Sequence, residues 1–289
     1  MNGALIEQVA RASKINPKGR PMAAEIHIGT QGWNYEGWIG SFYPAKTAVK
    51  ETLHLYAQIF DTVEIDSTFY AIPPENAVAN WFRRTPDHFT FSVKLLSEIT
   101  HKTRLRNSES LLVAFVERMR QLHHKLAVIL IQMPPDFSPS EHSALSQFLK
   151  LLPNDVHFAI EFRQAKWITK SLIDELQAHH VTLALTDGKW IGRELSFQAV
   201  EFLQSSFAYV RWLGPRELTD FSRIQIDRTK ELHQWQEALR NLSDKTSKIF
   251  GYFNNHFQGH SPASSNLFKS LLNLPTISPA TLIKQPSLF

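Results

Sequence analysis

The sequence predicts a single-domain (β/α)8 barrel. Eight short apolar runs, most of them rich in β-branched or aromatic residues, recur along the chain, and helical patterns lie between most of them. Eight such alternations in about 250 residues is the size of a TIM barrel, whereas a doubly wound sheet often carries a glycine-rich phosphate turn that this sequence lacks. The predicted strands are residues 25–30, 62–65, 89–94, 127–132, 156–161, 181–187, 207–213 and 247–253.

Amphipathic helices are predicted between most of these strands. The segment from Ser138 to Glu141 has the form of a capping box, with Pro139 at the first helical position. A segment over residues 214–229 is too long for an ordinary connection, which makes it a candidate functional loop. Other helices are predicted around residues 53–60 and 111–122, from apolar spacing, and over 75–84, 170–179, 230–242 and 262–272.

Composition excludes several classes of protein. With 20 Phe and 7 Trp among 289 residues, the chain has too much apolar material to be disordered throughout. No apolar run approaches the roughly 18–20 residues of a bilayer helix, so no membrane partner is predicted. The absence of cysteine excludes disulfides, thiolate metal sites and a cysteine nucleophile. A net charge of +4 permits an anionic partner without requiring one.

The chain divides into an N-terminal arm (1–24), the barrel (25–273) and an extended C-terminal tail (274–289). The arm lacks the apolar core of a signal peptide, which predicts a cytoplasmic protein. Three prolines between residues 275 and 286 predict that the tail is extended and exposed.

Polar and charged residues stand where the predicted strands end. In a barrel of this type the carboxyl ends of the strands face the active-site mouth, so these residues are candidates for a functional site. Charges flanked by apolar residues are usually buried and paired, and interlocking ion pairs that close the barrel explain any single one of them as well as catalysis does. These residues are Gln31, Glu64, Asp66, Lys94, Gln132, Glu161, Arg163, Asp187, Arg211, Asn254, Asn255 and His256, and the aromatic Trp33 after the first strand completes the candidate set.

Aromatic residues accompany these charges. Five of the seven tryptophans fall near predicted strand ends, and aromatic faces beside charged groups suit a sugar or a nucleobase. Packing of the mouth loops onto the barrel is the alternative explanation for most of them. The five are Trp33, Trp38, Trp167, Trp190 and Trp212.

Acid–base chemistry is the best supported catalytic hypothesis. Glu64, Glu161 and Asp187 are the well-placed carboxylates, and no motif of a serine hydrolase or of a zinc protease occurs. No cofactor is predicted. The same three carboxylates with His256 would make an oxygen-rich site for a divalent metal, a minority alternative because spacing alone does not show that they converge.

Several segments resemble the YecE-like family, catalogued as domain of unknown function 72. The matching segments are IGTQGWNYEGWIGSFYP (28–44), TVEIDSTFYAIPP (62–74), FSVKLLSEITH (91–101), QMPPDF (132–137), AIEFR (159–163) with Trp167, Asp187, YVRWLG (209–214) and FNNHFQGHSPASSN (253–266). The resemblance implies an eight-stranded barrel with a polar cleft lined by the candidate residues, and no established reaction. Asp66 stands where the family usually has asparagine, and Leu213 stands where a histidine often follows the strand-seven arginine, which puts a mechanism dependent on that histidine in doubt.

The last five residues, QPSLF, resemble the motif by which bacterial proteins dock on the replication sliding clamp. In that mode Gln285 would anchor the motif by hydrogen bonding while Leu288 and Phe289 fill an apolar pocket. A tail packed back onto the barrel is the alternative.

Three functions therefore stay open. The leading hypothesis is an enzyme, a hydrolase or isomerase, whose mouth binds a small sugar- or nucleotide-bearing substrate: Lys94, Arg163 and Arg211 hold an anionic group, and the carboxylates act as acid or base. The second is a nucleic-acid maintenance factor recruited to the sliding clamp, with a basic cluster at Lys102, Arg104 and Arg106. The third is a non-catalytic scaffold whose charged mouth is structural.

Overall fold

The predicted barrel is confirmed in a computed structural model, which describes residues 24–283. Eight parallel strands pair in chain order, and β1 pairs with β8 from Glu25↔Lys248 to Thr30↔Phe253, which closes the sheet. Closure leaves no strand edge unpaired. The strands are β1 (Glu25–Gln31), β2 (Thr62–Ile65), β3 (Thr90–Lys94), β4 (Leu126–Gln132), β5 (Phe158–Glu161), β6 (Val181–Gly188), β7 (Phe207–Gly214) and β8 (Lys248–Phe253).

A helix follows every strand. The predicted helices are all present, and two further helices were not predicted from the sequence: the single turn α9 near the C-terminus, and α6. Its buried face includes Ser196, whose hydroxyl donates to the carbonyl of Thr186, so a polar residue interrupts the apolar pattern that would have indicated the helix. The helices are α1 (Val49–Tyr56), α2 (Glu75–Arg83), α3 (Glu109–Arg120), α4 (His142–Leu149), α5 (Lys170–Ala178), α6 (Arg193–Val200), α7 (Thr229–Ser243), α8 (Ser261–Leu271) and α9 (Ala280–Ile283).

The interior of the barrel is filled by side chains. Alternate residues of each strand face inward. At the amino end His27 stacks on Phe250, with ring centroids 5.2 Å apart. Above them the hydroxyl of Tyr252 lies 2.8 Å from both the Thr62 and the Ser92 hydroxyls. The barrel is therefore a packed core, and any ligand must bind above this layer, at the carboxyl ends of the strands.

The predicted capping box at Ser138 is wrong. Residues Pro139–Glu141 form a single 3₁₀ turn before α4, and the Ser138 side chain caps no backbone N–H. The Glu141 carboxylate instead accepts hydrogen bonds from the guanidinium groups of Arg104 and Arg106. These contacts take the place of the backbone hydrogen bond that a capping box would make.

Part of the predicted C-terminal tail is ordered. Residues 280–283 form the helical turn α9, and Leu282 is buried, so this stretch is not extended as predicted. Residues 1–23 of the predicted arm and the proposed clamp-binding residues Gln285, Leu288 and Phe289 lie outside the described residues. Within residues 24–283, no helix has the length and apolar character needed to cross a membrane.

Candidate functional site

A buried ion-pair layer, consisting of Glu64, Glu161 and Arg211, closes the top of the barrel interior. Arg211 on β7 donates to both oxygens of Glu64 on β2, from Nε at 2.9 Å and from Nη2 at 2.6 Å. Its Nη1 donates to Glu161 on β5. The hydroxyl of Tyr209 also donates to Glu64, at 2.7 Å. All three charged side chains are at most 2% exposed.

Arg211 and Glu161 stabilise each other's charge, whereas burial raises the pKa of Glu64 in spite of its contacts with Arg211. Burial opposes ionisation of Arg211, but the two glutamates raise the pKa of its guanidinium well above the usual value. Burial likewise favours the neutral form of Glu161, yet Arg211 and Arg163 hold the pKa of this carboxyl below its usual value. The layer therefore has the geometry of interlocking ion pairs that close the barrel, which was the alternative to a catalytic role. Solvent does not reach its carboxylates.

Arg163 lies beside Glu161, and its Nε is without a hydrogen bond among the described residues. Glu161 accepts a hydrogen bond from Gln132 at 2.8 Å, while its Oε1 is 3.6 Å from Nε of Arg163. That Nε is buried and has no hydrogen-bond partner among the described residues. Burial, reinforced by Arg211 and Arg216, lowers the pKa of Arg163. Arg163 is thus a guanidinium with only 12% of its side chain exposed and no hydrogen bond at Nε among residues 24–283.

Lys94 and Asp66 form a second ion pair at the mouth. Lys94 Nζ lies 3.2 Å from Oδ1 of Asp66 and 4.5 Å above the ring of Phe69. The lysine side chain is 10% exposed, whereas that of Asp66 is 36% exposed. Asp66 is therefore a carboxylate that a ligand at the mouth can reach.

His101 belongs to this group of side chains, although it lies outside the set of residues predicted from the sequence. It lies in a π-helical turn, Glu98–Lys102, beyond the end of β3, with its ring edge-on to Phe69 and its Nδ1 2.9 Å from the Thr100 hydroxyl. Burial, together with Arg163 and Lys94, lowers the pKa of His101 to about 4. Its imidazole is therefore neutral at neutral pH.

Asp187 does not join the other predicted carboxylates. Thr186 pairs in register with Arg211, which faces the interior, and Asp187 pairs with Trp212 on the opposite face of the sheet. Its carboxylate accepts a hydrogen bond from Trp235 Nε1 at 2.9 Å and lies 3.7 Å from Arg193. Burial raises the pKa of Asp187. This residue lies between the barrel and its helices, apart from Glu64 and Glu161.

The three predicted residues that follow β8 have different surroundings. Asn254 Nδ2 donates to Oε1 of Gln31 at 2.8 Å, which places it at the mouth beside β1. Asn255 is buried, and its Oδ1 accepts from Trp38 Nε1 and from Ser261. The half-buried His256 packs edge-on against Phe221 of the 215–228 connection.

Most of the mouth tryptophans are structural, as the packing alternative proposed. Trp38, Trp167 and Trp212 are almost fully buried, whereas Trp33 is half-buried and Trp190 is 46% exposed. Only Trp33 and Trp190 of the five can therefore meet a ligand.

The predicted basic cluster is neutralised by neighbouring acids. Arg104 contacts Asp136 and Glu141, Arg106 contacts Glu141, and Lys102 pairs with Glu98. Its net positive charge is smaller than the sequence suggested, which weakens this part of the nucleic-acid hypothesis.

The proposed metal ligands do not converge. In the part of the chain that the structure describes, no group of three or more His, Asp or Glu side chains is arranged to hold a metal ion.

Fold and mouth together define a (β/α)8-barrel protein with a buried ion-pair layer beneath a cationic mouth. The chain belongs to the family described as "Protein of unknown function DUF72", whose sequence profile matches residues 27–286. It is 28% identical over 274 residues to the UPF0759 protein YunF of Bacillus subtilis, covering 86% of this chain and 95% of that one. It is 32% identical over 145 residues to the UPF0759 protein YecE of Escherichia coli K12, about half of each chain.

Solved structures confirm the fold. A DUF72 family protein from Thermotoga maritima has a TM-score of 0.71 at 23% identity, covering 86% of this chain and 99% of that one. Another from Enterococcus faecalis has a TM-score of 0.68 at 22% identity, with coverage of 87% and 99%. A D-psicose 3-epimerase from Clostridium cellulolyticum has a TM-score of 0.50 at 12% identity, with coverage of 83% and 88%. At these identities the similarity is one of fold.

Proposed function

We propose that this protein is an enzyme that binds a small, anionic, sugar- or nucleotide-bearing substrate at the mouth of the barrel. Lys94 and Arg163, here called the anion site, bind the negatively charged group. The proposal rests on the Arg163 guanidinium, which is largely buried and has no hydrogen-bond partner at Nε among residues 24–283. A phosphate or carboxylate that reaches the exposed part of this side chain would accept hydrogen bonds from it and balance its charge.

The ion-pair layer positions the anion site. Glu161 sits between Arg211 and Arg163, and it orients Gln132 through a hydrogen bond. Since Glu64 and Glu161 are enclosed beneath the mouth, we assign them a positioning role instead of the direct acid–base role considered from the sequence. Arg211 likewise holds the two glutamates and does not contact substrate.

Asp66 and His101 are the titratable groups that a substrate on the anion site can contact. Asp66 is partly exposed and adjoins Lys94, and His101 is half-buried close to Lys94 and Arg163. A neutral imidazole can accept a proton, and a bound anion would raise its basicity by offsetting the two cations. This arrangement supports acid–base catalysis on a substrate anchored by its charge.

Binding is tested first, by calorimetric titration with inorganic phosphate. Arg163→Met should weaken phosphate binding at least tenfold, because it removes a charged hydrogen-bond donor, and its unfolding midpoint is measured alongside to show that the variant is folded. Arg240→Met, at an exposed position on α7, is the matched control. Equal binding by the wild type and Arg163→Met, or no binding by the wild type, would refute the anion site.

Catalysis is tested with phosphorylated sugars and nucleotides followed by NMR. Any turnover should be lost in Asp66→Asn or His101→Gln while phosphate binding is retained. Turnover that survives both substitutions would contradict the acid–base assignment.

A further inference from the structure

A cavity of about 650 Å³ adjoins the anion site on one side. It lies between α1 and α2, beside the loops that follow β1 and β2. The β1–α1 connection is 17 residues long and α1 has only eight residues. The volume of the cavity falls in the range of small-molecule sites and far exceeds that of a single phosphate. We call it the ring cavity; it is lined by Gly32, Trp33, Asn34, Tyr35, Val49, Lys50, Leu53, Ile65, Asp66, Ser67, Ala77, Asn80, Trp81 and Arg84.

The walls of the ring cavity combine aromatic faces with polar groups. Trp33 and Trp81 are both half-buried, and their rings lie 6.2 Å apart and nearly perpendicular. Asn80 and Asp66 provide amide and carboxylate groups in the same cavity. Two partly exposed indoles beside such groups suit a ring with an apolar face and a hydrogen-bonding edge.

Local backbone geometry shapes one wall of the ring cavity. Gly32 has a φ of +72°, and a Cβ at this position would lie 3.2 Å from the ring of Tyr35. The Tyr35 hydroxyl donates to the carbonyl of Gln31 at 2.9 Å, which fixes the aromatic ring across the turn. Glycine therefore permits the tight turn that forms this wall of the cavity.

Asp66 connects the ring cavity to the anion site. It lines the cavity, and its Oδ1 is 3.2 Å from Lys94 Nζ. A ligand whose ring packs in the cavity against Trp33 or Trp81 can thus extend its charged group past Asp66 to Lys94.

We infer that the ring cavity binds the ring of the same substrate whose anionic group lies on Lys94 and Arg163. The inference rests on the proposed function and specifies its substrate class: a phosphorylated or carboxylated compound with a sugar ring or a nucleobase. Both rings present an apolar face and a polar edge, so the experiment must separate them.

The test compares calorimetric titrations with inorganic phosphate, ribose 5-phosphate and AMP. Ribose 5-phosphate should bind at least tenfold more tightly than phosphate if the sugar occupies the cavity. A gain that appears only with AMP would identify the base as the occupant. Either gain should disappear in Ala77→Trp, which fills the cavity from α2, while phosphate affinity stays within twofold.

Ala114→Trp, at an exposed position on α3, is the matched control and should change none of the three affinities. If Ala77→Trp unfolds the protein, Asn80→Ala replaces it, because Asn80 is exposed on α2 and its loss should not disturb the fold. Since Asn80 lines the cavity, this substitution should reduce the gain in affinity at least threefold. Phosphate binding without a further gain from either compound, or a gain that survives both substitutions, would overturn the ring cavity alone. Absence of phosphate binding to the wild type would instead overturn the proposed function.

Discussion

Arg211 on β7 donates two hydrogen bonds to Glu64 on β2 across the barrel interior, with N–O distances of 2.9 and 2.6 Å. The two residues are 147 positions apart in the sequence. A bidentate pair of this kind fixes both side chains in one orientation. Because Arg211 also contacts Glu161, loss of this one guanidinium would leave two buried carboxylates without their shared cation.

The first prediction is that Arg211→Met destabilises the fold. Breaking a buried ion pair on one side typically costs about 3–5 kcal/mol, because an uncompensated charge stays buried. Urea denaturation at pH 7 should show a loss of this size in the free energy of unfolding. Arg120→Met, which removes ion pairs at the surface, should change the denaturation midpoint little. Equal effects of the two substitutions would contradict a structural role for the layer.

The second prediction concerns the protonation of His101. Its pKa of about 4 lies below that of an unfolded histidine, about 6.5, so the unfolded chain binds more protons between these two values. The stability that the fold gains from keeping the His101 imidazole neutral is complete above pH 6.5 and is lost as the pH falls towards 4. His101→Gln should therefore flatten the pH dependence of the unfolding midpoint in this window.

Direct NMR titration of the His101 ring checks the cause of this shift. Burial is the largest contribution, and the charges of Arg163 and Lys94 add to it. Arg163→Met should raise the pKa of His101, and so should saturating phosphate in the wild type. An unchanged pKa in both experiments would show that the two cations do not act on this imidazole.

The sequence indicates the position of a residue along the barrel axis better than the direction in which it points. Glu64, Glu161 and Arg211 were selected because they end apolar strands, and the structure brings them together. Asp187 satisfies the same criterion, yet it faces the helices because side-chain direction alternates along β6. The interlocked contacts of the layer join distant positions and could not be read from local spacing.

His101 shows another limit of sequence reasoning. It lies beyond the end of β3 in a π-helical turn, followed by positive φ angles at Arg104 and Leu105. Periodicity does not predict such a backbone, and the turn is held partly by the contacts of Arg104 with residues after β4. Only these tertiary contacts reveal that the imidazole lies near Lys94 and Arg163.

A third prediction tests the C-terminal QPSLF segment, whose residues lie outside the described range. We propose that Gln285, Leu288 and Phe289 anchor the chain on a bacterial sliding clamp, so removal of residues 285–289 should abolish micromolar binding to it. Calorimetry with the full chain and the truncated chain measures this directly. Equal clamp binding by both chains, or none by the full chain, would contradict the motif.

The last prediction separates Asp187 from the catalytic carboxylates considered from the sequence. Burial raises the pKa of Asp187, so ionisation of this group opposes folding. A raised pKa contributes stability that is present below the unfolded value, about 3.9, and is lost as the pH rises through the folded value. Asp187→Asn keeps an oxygen that can accept from Trp235 and has no charge to bury.

At pH 7 Asp187→Asn should therefore unfold at the same or a higher urea concentration than the wild type, and its advantage should shrink as the pH is lowered towards 4. Asp187 faces the helices, whereas the ion-pair layer lies inside the barrel, so Asp187→Asn should not change the affinity for phosphate. Glu161→Gln is the informative contrast, since it weakens the contacts of Arg211 and Arg163 together and should reduce both stability and phosphate binding. A loss of phosphate binding in Asp187→Asn as large as that in Glu161→Gln would return Asp187 to the functional site.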